Sequence, residues 1–158
     1  MKQSYAVPRV LKSGLCCAGL WAALSHSAVS APKCSFATAS SVDFGTYSVF
    51  EVTPNNFGVG TIAISCQGGG GPFKVSLSTG QSHSFSARDM QSGASHLSYN
   101  LYTTAARSVV WGDGSGGSSA LPAGRNTTTR LDIFGQIPAL QDAAVGTYTD
   151  SIVATVDF

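Results

Sequence analysis

The closing stretch of the chain, GTYTDSIVATVDF at residues 146 to 158, alternates with a period of two from end to end. One register carries Tyr148, Asp150, Ile152, Ala154, Val156 and Phe158, apolar except for Asp150. The other carries Thr147, Thr149, Ser151, Val153, Thr155 and Asp157, polar except for Val153. Successive side chains of a β-strand point to opposite faces, so this pattern demands a strand with one face buried and the other in water. The same period recurs upstream. Thr61 to Cys66 sets Ile62, Ile64 and Cys66 on one face, Phe73 to Ser78 does so with Phe73, Val75 and Leu77, and Leu97 to Tyr102 with Leu97, Tyr99 and Leu101. Further short strands are predicted at Cys34 to Ala39, Val42 to Phe44, Val109 to Trp111 and Arg130 to Ile137.

Between these runs stand turn-forming stretches: GGGG at 68–71, SGAS at 92–95, GDGSGGSS at 112–119 and PALQDAAVG at 138–146. Of these, only PALQDAA could hold a helical turn. Short strands separated by frequent turn signals predict an all-β chain folded as a single antiparallel β-sandwich of immunoglobulin-like type.

The first residues belong to a different class of segment. Lys2, Arg9 and Lys12 form a basic start, Leu15 to Leu24 (LCCAGLWAAL) a short apolar run, and SHSAVSA at 25–31 supplies small residues for cleavage. A bilayer-spanning helix needs about 20 apolar residues, more than this run offers. Residues 1–31 are therefore expected to be a secretory signal cut near 28–31, leaving a domain over 32–158 with no membrane span. Cys16 and Cys17 leave with the signal, and Cys34 and Cys66 remain. In an exported chain two cysteines most simply form one disulfide, and neither has a second Cys or His at metal-ligand spacing.

Six cationic residues of the mature part (Lys33, Lys74, Arg88, Arg107, Arg125, Arg130) face eight acidic ones, a net charge of minus two. No basic patch interleaved with aromatics points to nucleic acid.

Motifs that would carry catalysis fail on spacing. DGSGG at 113–117 resembles a protease nucleophile loop, but Gly114 separates Asp113 from Ser115, and His83 and His96 sit in Ser-rich polar stretches. GGGGPFK lacks the Lys-Ser/Thr pair and the following helix of a phosphate loop. Asp113 alone is too few acidic ligands for a calcium loop. Asn126 begins a glycosylation sequon that matters only in a glycosylating host. The chain is expected not to be an enzyme and to carry no metal or cofactor. Trp111 beside Gly112 leaves a carbohydrate-binding surface as a lesser alternative.

Taken in order, the early Cys34, FGTY (44–47), ISCQGGGGPFKVSLSTG (64–80), ARDM (87–90), LSYNLY (97–102), VVWGDGSG (109–116), IFGQIPALQ (133–141) and the closing GTYTDSIVATVDF resemble the spore coat protein U family. That family includes the subunits of archaic, or sigma-type, chaperone-usher fimbriae. The resemblance implies an incomplete immunoglobulin-like sandwich lacking its final strand, completed in trans by a donor strand. The partners it implies are a periplasmic chaperone, an outer-membrane usher and neighbouring pilin subunits. Tyr148, Ile152, Ala154, Val156 and Phe158 would form one wall of the strand-acceptor groove, Cys34 and Cys66 would pin the first strand, and the Phe158 carboxylate would meet a basic chaperone residue. A donating subunit needs a strand of roughly ten residues ahead of its first Cys. Here only a few residues, APK among them, are expected there, which suits a subunit that accepts a strand at a fibre end, with a role in adhesion or biofilm formation. A secreted spore-coat or extracellular matrix protein of the same family is the alternative. Either way the chain is expected to pass through the periplasm to the cell surface or beyond.

Overall fold

The computed structural model describes residues 33–67, 72–124 and 128–157. The expected signal segment, the GGGG run, the sequon's Asn126 and Phe158 lie outside them. Eight strands are present among the described residues: β1 (Lys33–Ala39), β2 (Val59–Gln67), β3 (Phe73–Leu77), β4 (Arg88–Ser92), β5 (Ser95–Tyr102), β6 (Leu121–Ala123), β7 (Thr128–Gln136) and β8 (Ala154–Asp157). They form a five-stranded sheet in the order β1-β2-β7-β5-β4 and a three-stranded sheet in the order β6-β3-β8, every pair antiparallel.

The core is where the period-two faces meet. Ile62 and Ile64 of β2, Leu97, Tyr99 and Leu101 of β5 and Ile133 of β7 are buried against Phe73, Val75 and Leu77 of β3. Trp111 fills the space between them with no exposed surface, and its indole Nε1 donates to the Val75 carbonyl at 2.8 Å. A buried Trp needs such an acceptor, because an unmet indole N–H would forfeit part of what its burial contributes. The sugar-stacking surface considered for Trp111 does not exist.

Arg88 is also fully buried. Its guanidinium donates to the Ser78 carbonyl through Nε (3.0 Å) and one terminal nitrogen (2.8 Å), to Asn100 Oδ1 at 2.6 Å and to the Trp111 carbonyl at 2.7 Å. Its carbon Cζ stands 5.3 Å from the centre of the Phe85 ring. Burial pulls the Arg88 pKa down from its ordinary value, and nearby Tyr99 and Asp150 oppose that shift.

Several expectations take a different form. Val42–Phe44 and Val109–Trp111 make isolated bridges (Asp43 with Val59, Val110 with Tyr102) in place of strands. PALQDAA holds no helix: Leu140 sits at φ 57, and the Gln141 side-chain amide bonds both the N–H and the carbonyl of Ser98, each at 2.8 Å. That amide stands in for a neighbouring strand where the chain leaves the ladder after β7. The closing segment keeps its alternation, with residues 148 to 157 half-buried and exposed by turns. Its ladder is shorter than the pattern predicts: Thr149 bridges Gln91 of β4, and Ala154–Asp157 pairs with β3. The chain changes sheets between them, so residues 150–153 have no strand partner. They are held by Ser78, whose N–H donates to the Val153 carbonyl and whose Oγ accepts the Val153 N–H, both at 2.9 Å.

Candidate strand-acceptor groove

β1 is the last strand of one sheet and β8 the last strand of the other, and neither has a partner on its outer side among the described residues. A sandwich edge is closed when these two rims are bridged. Here they are not, and the consequence is visible in β1, where every residue but the half-buried Cys34 is exposed. Phe36 leaves 45 % of its surface in solvent, on a strand whose inner face should be covered.

Between the rims runs a cleft of about 510 Å³. Phe36, Ala39 and Val42 line it from the β1 side, Tyr148, Ile152 and Ala154 from the closing segment, and Ile62, Leu77, Met90 and Leu101 form its floor. A second cavity of about 650 Å³, between residues 42–50 and 143–148, shares Val42, Phe44, Met90 and Tyr148 with the first, so the two make one long groove.

Two side chains of the connecting segment shape its middle. The Phe44 ring stacks edge-on to Tyr99 at 5.8 Å and rests over Gly58 and Gly135. A Cβ on either glycine would overlap that ring, so the absence of a side chain is what admits it. Asn55 holds the same segment by donating to the Phe44 carbonyl at 2.9 Å. At the far end Tyr47 accepts the Gln141 N–H at 2.8 Å and donates to the Pro138 carbonyl at 3.1 Å, tying the two loops that flank the second cavity.

The residues expected from the sequence fall as follows. Cys34 and Cys66 face one another across β1 and β2 and are joined as a disulfide with their Cα atoms 4.0 Å apart. Tyr148, Ile152 and Ala154 line the groove together. Val156 continues their face, half-buried beside Val75, beyond the cleft proper. Phe158 lies outside the described residues.

Asp150, the polar member of the apolar register, also lines the groove and is heavily engaged. Its Oδ1 accepts from the backbone N–H of Ser151 (2.7 Å) and Gln81 (3.1 Å) and from Gln81 Nε2 (3.3 Å), while Oδ2 accepts the Tyr99 hydroxyl at 2.7 Å. Burial first, and then the hydrogen bond and charge of Asp150, push the Tyr99 phenol well above its ordinary pKa. Alternation puts Asp150 on the inward face but gives no partner for it, and nothing in ARDM marks Arg88 as buried.

A third, polar cleft lies beside His83, Ser84, Asp113 and Ser115. Ser115 donates its hydroxyl to Asp113 Oδ1 at 2.7 Å and its N–H to the same oxygen at 2.8 Å, a local turn contact that lowers the Asp113 pKa. Among the described residues no three His, Cys, Asp or Glu side chains gather into a group able to hold a metal, and no helix is long and apolar enough to cross a membrane.

Comparison with known proteins gives this geometry a context. Residues 20–155 match the Spore Coat Protein U domain, the match beginning inside the segment expected to be a signal. Protein U of Myxococcus xanthus is 31 % identical, over 74 % of this chain and 71 % of its own. Among solved structures, a chain of the CsuC–CsuE chaperone–tip adhesion subunit pre-assembly complex, from archaic chaperone-usher Csu pili of Acinetobacter baumannii, superposes with a TM-score of 0.54 at 25 % identity. That likeness covers 80 % of this chain, which spans 40 % of the length of the one it matches. The fold is an incomplete immunoglobulin-like sandwich open along one seam, and the chain belongs to the Spore Coat Protein U domain family.

Proposed function

We propose that this chain is a non-enzymatic fimbrial subunit, exported to the cell surface and assembled by the chaperone-usher route, its open seam filled by a strand from another chain. The observation that carries the reading is the groove between β1 and the closing segment, floored by core residues and walled by Tyr148, Ile152 and Ala154. An added strand would gain affinity from backbone hydrogen bonds along a free sheet edge and register from alternate side chains entering the cleft. Left empty, such an edge invites self-association. Likeness to a chain from a chaperone–subunit complex supports a periplasmic chaperone as the first occupant and neighbouring subunits, delivered through an usher, as later ones.

A role at a fibre tip, in adhesion, has support from the loops flanking the second cavity. Phe50 and Val145, which line that cavity from opposite loops, are 87 % and 107 % exposed, and Val52 and Phe57 farther along the first loop are 75 % and 83 % exposed. The family's own description keeps a second reading, a secreted coat or matrix protein. Chaperone and usher genes beside this one favour the fimbria, and their absence favours the coat.

Co-expression decides the first reading. The chain alone should self-associate, and with its cognate chaperone it should purify as a soluble one-to-one complex. Ile152→Glu would bury a charge against the added strand and weaken capture by about 100-fold or more, with the Cys34–Cys66 bridge still formed. A chain that stays monomeric and fully folded with no added strand refutes it. N-terminal sequencing of the exported protein tests the cut near 28–31 and shows whether any donor segment precedes Cys34.

A further inference from the structure

The walls of the groove are apolar, yet the charged residues among those that line its two cavities are Asp43 and Asp150, and none is Lys or Arg. Asp43 turns its Oδ1 to the Gly45 N–H at 2.8 Å, at the edge of the cleft. Asp150 is different because it stands in the inward register of the wall, between Tyr148 and Ile152. It cannot swing away when the groove fills. Oδ1 holds three donors and Oδ2 is fixed by Tyr99, while Gly80, at φ 67, has no side chain because a Cβ there would overlap Oδ2.

Nor does a cation from the core reach it. The Arg88 guanidinium is committed to Ser78, Asn100 and Trp111. Oδ2 therefore has one donor among the described residues, on a side chain that lines the open groove, and its acceptor capacity is only partly used. A wholly apolar strand would close the groove over that oxygen and leave it partly unmet, at a cost larger than one methylene contact returns.

We propose that the strand which fills this groove carries a hydrogen-bond-donating side chain, Thr, Ser, Asn or Lys, at the inward position that meets Asp150, flanked on its other inward positions by apolar residues. This rests on the strand-acceptor reading above and adds to it the chemistry of one position. Asp150 is then a specificity residue: it admits donors, tolerates aliphatic side chains poorly and repels Asp or Glu.

The test uses the full chain refolded with labelled synthetic peptides of alternating Leu and Thr, read by fluorescence anisotropy. In each peptide one inward Leu is replaced in turn by Thr, Lys or Glu. At one inward position Thr and Lys should bind about tenfold or more tighter than Leu, with Glu weakest. At the other inward positions Leu should win. In Asp150→Asn the advantage of Lys at that position should vanish. Because Asp150 also holds the turn at Gln81, the panel on the unaltered chain decides the matter whether or not the variant folds. Leu binding best at every inward position overturns the proposal and leaves the groove standing. Binding of no peptide at all overturns the groove reading and the proposal with it.

Discussion

Replacing Arg88 with Met removes the buried guanidinium while nearly conserving its volume, and its effect can be worked from the contacts. Two backbone carbonyls, Ser78 and Trp111, lose the donors that Arg88 supplies, whereas Asn100 Oδ1 still accepts the Leu101 N–H at 2.9 Å. Leaving a buried acceptor unmet costs about 1–3 kcal/mol. Two such groups set a loss of about 2–6 kcal/mol, offset in part because a desolvated cation has also gone. A net loss of about 3 kcal/mol would be a large share of the 5–15 kcal/mol that typically holds a domain folded.

Ser78 lies in the stretch that grips Val153, so the loss should also loosen the groove wall. Urea unfolding at a fixed, saturating concentration of a complementing peptide measures the first effect, and amide exchange at residues 150–153 the second. Arg88→Lys should recover little, since an ammonium cannot span three acceptors in fixed directions. If Arg88→Met unfolds within about 0.5 kcal/mol of the parent, the polar network is dispensable and the reasoning fails.

Reduction of the disulfide, or Cys34→Ala with Cys66→Ala, should cost about 3–4 kcal/mol for the 32-residue separation it closes, seen as a lower urea midpoint. Gly58→Ala or Gly135→Ala should each cost about 1–3 kcal/mol by driving a methyl into the Phe44 ring, and Phe44→Leu should relieve part of that penalty in a double mutant. Because the Tyr99 phenol is raised in the folded chain, the folded state holds its proton after the unfolded one has released it. Stability should therefore be intact below about pH 10 and fall as pH rises beyond, and Tyr99→Phe should remove that fall. An ultraviolet absorbance titration should show one tyrosine ionising only as the protein unfolds.

The faces that build the sandwich were legible as periodicity. Ile62 and Ile64, Phe73, Val75 and Leu77, and Leu97, Tyr99 and Leu101 are buried in the registers that alternation assigns them. Residues 148–157 keep the predicted in-and-out order even where they lack a ladder, because that order reflects which side faces the core, not which strand pairs. The sheet change at Asp150–Val153 was illegible, since it depends on Ser78 and Gln81 some 70 positions away in the chain. β4 was missed because its Arg88 reads as polar, and its burial is possible only with carbonyls that come from two other segments. The part of the groove shared by its two cavities, at Val42 and Phe44, reads as a short strand. What makes it a wall of the groove is the pair of glycines on β7 and ahead of β2 that leaves room for an aromatic ring.

The disulfide joins the outermost strand to its neighbour near the start of β1, with Cys34 opposite Cys66. A chain lodged along the free edge of β1 would pull on it, and a sheet edge strand held by hydrogen bonds alone can be peeled one bond at a time from one end. The covalent tie closes that end. Tension must then load the β1–β2 ladder in shear, many bonds together, and passes through Ile62 and Ile64 into β7. If a strand is captured there as proposed, the bridge between two cysteines would work as a mechanical stop, converting a strand that could be unzipped into one that has to be torn.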